Sequence, residues 1–249
     1  MKIWKIVLVA LSLIFFIIGV GMSFIPKEMF IETGSIIAVT MISLPAFYGM
    51  YKIYGKRGVL AIILLGLFAL TIESIGIHTG WPYSFFEYTS DFGYRLFGTT
   101  PWTVFIAWSP LVIGAWLLAK IWFKRNWSQY LVYLGILVGT DVILDPGAVA
   151  RGLWKYTNGG LWFDVPLQNF FGWVISGTIA YVLLRFITKN KEGVNQKYIW
   201  ISSLSLLLSI FLWTGVNAGY GLWLPAILGI VLGKILLLGL FDAGKKLSR

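Results

Sequence analysis

The chain has 249 residues, 58% of them hydrophobic and 12% charged, with a mean hydropathy of +0.82. That composition excludes a soluble globular domain of this length and points to a polytopic membrane protein, with 1–249 forming a single transmembrane domain. The absence of cysteine removes disulfide and thiol chemistry, and one histidine argues against a zinc site.

Lys2 and Lys5 precede an apolar run that reaches Phe24. The run is too long for a signal-peptide core and lacks a small-x-small cleavage site, so it reads as a retained first helix. Further spans are predicted near 33–51, 58–76, 102–122, 129–145, 170–188, 198–216 and 221–240, with the first near 4–24. The expected fold is therefore all-α, a transmembrane bundle of about eight helices. The net charge of +10 does not signal nucleic acid, because the basic residues fall in short loops between apolar runs. With the N-terminus in the cytoplasm, fifteen Lys and Arg, among them Lys52, Arg57, Lys124, Lys191 and Arg249, fall on the inner side. Only Lys27, Arg95, Arg151 and Lys155 fall outside, and Lys234 lies within the last helix, where it should snorkel or line the bundle interior. This bias places both termini in the cytoplasm of a multi-pass protein of the cell membrane.

Glu73, Asp141 and Asp145 are three of only ten acidic residues, yet all lie in apolar runs, about a turn from the outer helix ends. A carboxylate at membrane depth is costly and usually functional. Asp141 and Asp145 are four apart and share a helix face, so the pair is expected to hold a proton at neutral pH. Pro146 should turn Asp145 away from helical geometry and leave it at a frayed helix end. The competing reading makes these acids polar groups that fix helix contacts.

Two long connections on the outer side, 77–101 and 147–169, are dense in aromatics and read as lids over the bundle. The first holds Trp81, Tyr83, Phe86, Tyr88, Phe92 and Phe97, and the second Trp154, Tyr156 and Trp162. After each comes the pattern Pro-x3-Phe-x2-Trp, at Pro101–Phe105–Trp108 and Pro166–Phe170–Trp173. Each proline should open a helix, which makes helices three–four and five–six related hairpins. His78, just past the third helix, is a candidate proton relay at the mouth of the site or an ordinary loop histidine. Asn169 could orient a water or cap the sixth helix. Arg151 and Lys155 could pair with a carboxylate.

Buried acids, abundant aromatics, no Gly-rich phosphate loop and no Ser or Cys beside a His base suit one chemistry well. It is proton addition to an unactivated alkene, with aromatic faces steadying the carbocation and water completing a hydration. Asp141 would donate the proton, while Glu73 and Asp145 position and deprotonate the water. Trp81, Tyr83, Tyr88, Trp154 and Trp173 are candidate substrate-binding groups. No metal or other cofactor is needed for such a step.

Three motifs carry a resemblance: Glu73-Ser74-Ile75-Gly76-Ile77-His78-Thr79-Gly80-Trp81-Pro82, Thr140-Asp141-Val142-Ile143-Leu144-Asp145-Pro146, and Asp164-Val165-Pro166-Leu167-Gln168-Asn169-Phe170-Phe171-Gly172-Trp173. In order and spacing, over about 70–175, they resemble the integral-membrane carotenoid biosynthesis proteins of the bisanhydrobacterioruberin hydratase and gamma-carotene 1'-hydroxylase type. The resemblance implies a hydratase that adds water to terminal double bonds of an acyclic carotenoid. It also implies a lipophilic substrate in the bilayer and membrane enzymes of the same pathway as partners. Two departures stand out. The family favours Pro-Phe-Gly-x-Tyr after the Thr-Gly, where this chain has Pro82-Tyr83-Ser84-Phe85-Phe86-Glu87-Tyr88, and glycine before the Val-Pro, where it has Asp164. Both lie in the lids and bear on substrate identity.

Three rival readings remain at this stage. An intramembrane magnesium-dependent prenyltransferase would use Asp141 and Asp145 to hold the metal, but such aspartate clusters are richer and face the cytoplasm. A proton-coupled transporter would place acids at mid-membrane. A non-catalytic carotenoid-binding protein would tolerate neutralised acids.

Overall fold

A helix rises 1.5 Å per residue, so about 20 apolar residues cross the hydrocarbon core of a bilayer. Eight helices of the computed structural model meet that requirement among the described residues 2–26, 32–89, 92–96, 98–189 and 195–246. They are α1 (Lys2–Met22), α2 (Glu32–Tyr54), α3 (Lys56–Thr79), α4 (Val104–Trp122), α5 (Asn126–Arg151), α6 (Leu167–Thr188), α7 (Gln196–Gly219) and α8 (Trp223–Lys246). Four short strands accompany them: β1 (Phe86–Tyr88), β2 (Arg95–Leu96), β3 (Thr100–Pro101) and β4 (Trp154–Tyr156). Lys27, Phe97, Lys191 and Arg249 lie outside the described residues.

Helix α7 is the hub, packing against α1, α2, α4, α5 and α8. Its buried residues interleave Ser202, Ser203, Ser205, Ser209 and Gly215 with larger apolar side chains such as Leu206 and Ile210. Small residues substitute for hydrophobic drive in a membrane, because they let backbones approach closely. A Cβ on Gly19 of α1 would fall 2.1 Å from the Leu212 carbonyl oxygen of α7, and one on Gly49 of α2 would fall 1.9 Å from Ser202 Oγ. Ala46 N–H also donates to Ser205 Oγ at 2.9 Å. At the lid end, buried Arg151 donates to the Ile25 carbonyl at 2.7 Å and to Tyr220, tying the ends of α5, α1 and α7 together. Those three ends share the lid side, so α1 begins, and α8 finishes, on the opposite side.

Several helices run past the apolar limits that the sequence suggests. Thr79 ends α3 at Gly80, whose φ of 72° is left-handed and whose N–H reaches Gly76 O. His78 therefore sits in the last turn of α3 rather than beyond it. The largest difference is in α5, which continues through Pro146 to Arg151 and ends at Gly152, φ 83°. Asp145 is thus inside a helix, not at a frayed end. Proline removes the N–H that would bond the carbonyl four residues back, here Val142. Trp162 Nε1 of the second lid donates to Val142 O at 3.0 Å and takes its place. The neighbouring Ile143 carbonyl accepts from Asn217 Nδ2 at 2.7 Å. Trp162→Phe should therefore strand a carbonyl and cost about 1–3 kcal/mol, read as a lower midpoint of thermal unfolding in detergent. An unchanged midpoint would show that the helix passes the proline without this bond.

The longer helices also set the acids deeper than the sequence suggests. Glu73 lies six residues from the end of α3 and Asp141 ten from the end of α5, or about 9 and 15 Å along the axes. Neither repeat proline takes the first helical position: Pro101 is in β3 and Pro166 is the N-cap of α6. The two repeat tryptophans nevertheless meet, Trp108 and Trp173 having ring centroids 6.0 Å apart.

Candidate active site

The lids are joined by a small ribbon rather than lying separately. Strand β1 pairs antiparallel with β4, matching Phe86 with Tyr156, Glu87 with Lys155 and Tyr88 with Trp154. Side chains alternate across a strand, so Phe86, Tyr88, Trp154 and Tyr156 face inward and Glu87 and Lys155 face out. The outer pair forms a salt bridge of 2.7 Å with both side chains well exposed. Such a pair contributes about 0.2–1 kcal/mol. The bond and charge of Lys155 hold the Glu87 carboxyl below its usual value. The inner rings pack edge-on, and Phe92 stacks on Tyr88 at 5.8 Å. Arg95 holds the Tyr88 carbonyl, and Thr103 holds that of Phe92.

Under this ribbon lies a cavity of about 340 Å³, walled by α1 to α7 and roofed by the inner aromatic rings. Its charged lining residues are Glu73 from α3 and Asp145 from α5. Tyr88 OH donates to Glu73 Oε2 at 3.3 Å, and Tyr156 OH donates to Asp145 Oδ2 at 2.7 Å. Asn169, in the first turn of α6, donates its amide to Asp141 Oδ2 at 2.8 Å and to Asp145 Oδ2 at 2.7 Å. It does not cap α6, whose N-cap is Pro166. An amide nitrogen has two hydrogens, enough for one bond to each carboxylate. Burial first, and then the neighbouring acids, push the phenols of Tyr83, Tyr88 and Tyr156 well above their ordinary value. Each phenol therefore keeps its proton and stays a donor at physiological pH.

Tyr83 is seated by two glycines. A Cβ on Gly172 of α6 would fall 2.3 Å from its ring, and one on Gly76 of α3 would fall 3.0 Å from it. Gln168 Nε2 ties the same two helices by donating to Gly80 O at 2.8 Å.

The structure thus brings together Glu73, Asp145, Asn169, Tyr83, Tyr88, Trp154 and Trp173 around one space. Asp141 is fully buried behind Asn169 and does not line the cavity. This removes it from the position expected of a proton donor. His78 is also off the site. It is exposed on another face of α3, bonded through Nδ1 to Ser74 O at 2.7 Å, and lines a separate shallow groove. It lies five positions after Glu73 on α3, which turns it well away from the cavity. Trp81 is 53% exposed and does not line the cavity either. Lys155 does pair with a carboxylate, but with the outer Glu87. Lys234 is exposed on α8, not inside the bundle.

Tyr156 and Phe86, which the sequence reading names among the lid aromatics but not among the substrate-binding candidates, line the cavity, and the contribution of α1 and α2 to the walls was missed. The strands carry a legible signal, because Phe-Glu-Tyr and Trp-Lys-Tyr both alternate aromatic and charged. Both lid departures also have a backbone explanation. Ser84 (φ 79°) and Asp164 (φ 66°) occupy left-handed positions that favour glycine. Asp164 and Phe163 (φ 51°) form a tight turn closed by the Trp162–Val165 backbone bonds. Ser84→Gly with Asp164→Gly should therefore raise the thermal midpoint, each relieving about 1 kcal/mol, without changing activity. A lower midpoint would contradict this account of the lids.

The chain matches the model of the carotenoid biosynthesis protein family over residues 30–236. It is 34% identical over 200 residues to the bisanhydrobacterioruberin hydratase of Haloarcula japonica, covering 78% of this chain and 68% of that protein. No solved structure matches significantly. The family match takes in α2 to α7, the first part of α8 and both lids with every acid of the site, and the chain belongs to the carotenoid biosynthesis protein family.

Proposed function

We propose that the protein is a carotenoid hydratase that adds water across a terminal carbon–carbon double bond of an acyclic carotenoid. The observation that carries this reading is the pair Glu73 and Asp145, the charged residues of a largely apolar, aromatic-roofed cavity within membrane-spanning helices. The similarity to a hydratase of bisanhydrobacterioruberin supports the same class of substrate.

The hydrogen bonds suggest how the work divides. Asp145 Oδ2 accepts from both Tyr156 and Asn169, the surroundings of an ionised carboxylate. Glu73 accepts one long bond from Tyr88, which leaves it free to carry the proton. Glu73 gives its proton to the less substituted alkene carbon, the π bond breaks, and a tertiary carbocation forms beside the Tyr88, Trp108 and Trp173 rings. Water adds its oxygen to the cation and loses a proton to Asp145. Proton transfer from Asp145 back to Glu73 resets the pair. Nothing is oxidised or reduced, so no redox cofactor enters. Asp141 acts through Asn169, holding the amide that orients Asp145. The position between Asp141 and Asp145 is taken by a donating amide rather than by acceptors for a cation, which favours this reading over a magnesium-dependent transferase. The charge bias of the loops supports an orientation with the lids on the outer face of the cell membrane and both termini in the cytoplasm.

The test is co-expression with acyclic carotenoid pathways in a carotenoid-making bacterial host, with pigments read by chromatography and mass spectrometry. The expected product gains one water per reacting end. No new product despite good membrane expression would sink the hydratase. A product that requires prenyl diphosphate and magnesium would establish the transferase instead.

A further inference from the structure

The cavity is closed by the lids above, yet three of its lining residues are exposed: Ile18 on α1 and Ala38 and Met41 on α2. The described lining residues of α3 to α7 and of the lids are buried or half-buried. The opening is therefore lateral, between α1 and α2. The packing explains it, because both helices lie on α7 and make scarcely any direct contact with each other. Helix α1 is drawn onto α7 at Gly19. The fixed points of α2 begin further from the lids, at Ser43, which donates to Ile106 O at 2.8 Å, and at Ala46 and Gly49 against α7. The end of α2 nearest the lids is left unpaired with α1.

Depth and chemistry identify what passes. Ile18 is four residues inside the α1 span and Ala38 five inside the α2 span, about 6–8 Å from the helix ends and within the hydrocarbon layer. The seam is lined by Phe15, Ile18, Met22, Ala38, Met41 and Ile42, with no charge. Ser35 adds one hydroxyl to this lining, but a charged molecule finds no counter-charge there, whereas an apolar chain finds apolar walls. A cavity of about 340 Å³ is near the small end of pockets that enclose a drug-sized ligand, about 300–1,000 Å³. A long polyene cannot fit inside it whole.

We propose that the substrate enters sideways from the bilayer through the α1–α2 seam, and that only its reacting end is enclosed. The rest of the polyene stays in lipid, lying against Ile18, Ala38 and Met41. This rests on the hydratase reading for the identity of the chain that enters, and it implies that the site selects for the end group and tolerates differences in chain length.

Ala38→Trp should plug the seam, with Ile37→Trp as a control on the adjacent exposed residue that does not line the cavity. Two quantities are measured for each variant in detergent: carotenoid hydration, and pigment that co-purifies with the protein. Ala38→Trp should lower both by about tenfold or more through steric exclusion, while Ile37→Trp leaves both unchanged. Hydration of a short isoprenoid with the same terminal double bond should fall far less, because it has no long tail to accommodate. If Ala38→Trp does not accumulate, Ala38→Leu serves as a milder plug with the same expected order of effects. Undiminished hydration and pigment binding in a folded plug variant would overturn the seam. Should the unaltered protein hydrate neither substrate, the hydratase reading falls by itself. Pigment binding then decides the seam: loss in the Ala38 variants alone supports it, and equal binding in all overturns it.

Discussion

Glu73→Gln is expected to abolish hydration, lowering turnover by about 10²–10⁴-fold, the usual contribution of a positioned general acid. Glutamine is close in shape to glutamate, and its amide oxygen can still accept the Tyr88 bond. What it cannot do is deliver a proton to an alkene. The carotenoid should still bind, since the walls and the roof are untouched. A fall in turnover with co-purifying pigment retained is therefore the result to look for. Full activity would show that the proton comes from elsewhere and would move the donor to Asp145. Asp145→Asn is the companion variant. It keeps the acceptor for Tyr156 and Asn169 but removes the base, so it should be comparably inactive.

Asn169→Ala should be the most damaging change to the site as a structure. One amide donates to both buried carboxyl groups, and a hydrogen bond is worth about 0.5–1.5 kcal/mol, or about 1.5–3 kcal/mol where the acceptor is charged. Truncation leaves Asp141 and Asp145 four residues apart on one helix face with nothing between them. Both the thermal midpoint and the turnover should fall: the midpoint by several degrees, since about 1 kcal/mol moves a chain of this size by about 2–4 °C, and the turnover by about a hundredfold or more. Asn169→Ala combined with Asp141→Asn should recover part of the stability by replacing the carboxyl group left without its donor, without restoring the rate. If Asn169→Ala changed neither quantity, the amide bridge would not be holding the acids.

The acids were legible because charge is rare and expensive in apolar runs, so Glu73, Asp141 and Asp145 stand out against their neighbours. Glu73 and Asp145 share one cavity, and Asn169 ties Asp141 to Asp145 behind it. His78 shows where such reasoning stops. It is close to Glu73 in the chain, yet the helical turn between them points it away from the cavity. Trp81 is one of many aromatics in its lid and lies in the turn after α3, ahead of the ribbon, where it is exposed and does not line the cavity. Pro146 misled because a local rule ends a helix there, while Trp162, distant in sequence, supplies the missing donor.

Hydropathy, length and the run of apolar segments were enough to determine a bundle of eight spanning helices, because a bilayer admits little else for such a chain. The three motifs were likewise enough to indicate the carotenoid biosynthesis family. Only the tertiary structure decided that Asp141 stands behind Asn169 while Asp145 faces the cavity, that Tyr156 and Phe86 roof it, and that α1 and α2 leave a seam. Those outcomes depend on helix rotation and on which helices α7 draws close, through contacts between residues far apart in the chain that no periodicity records.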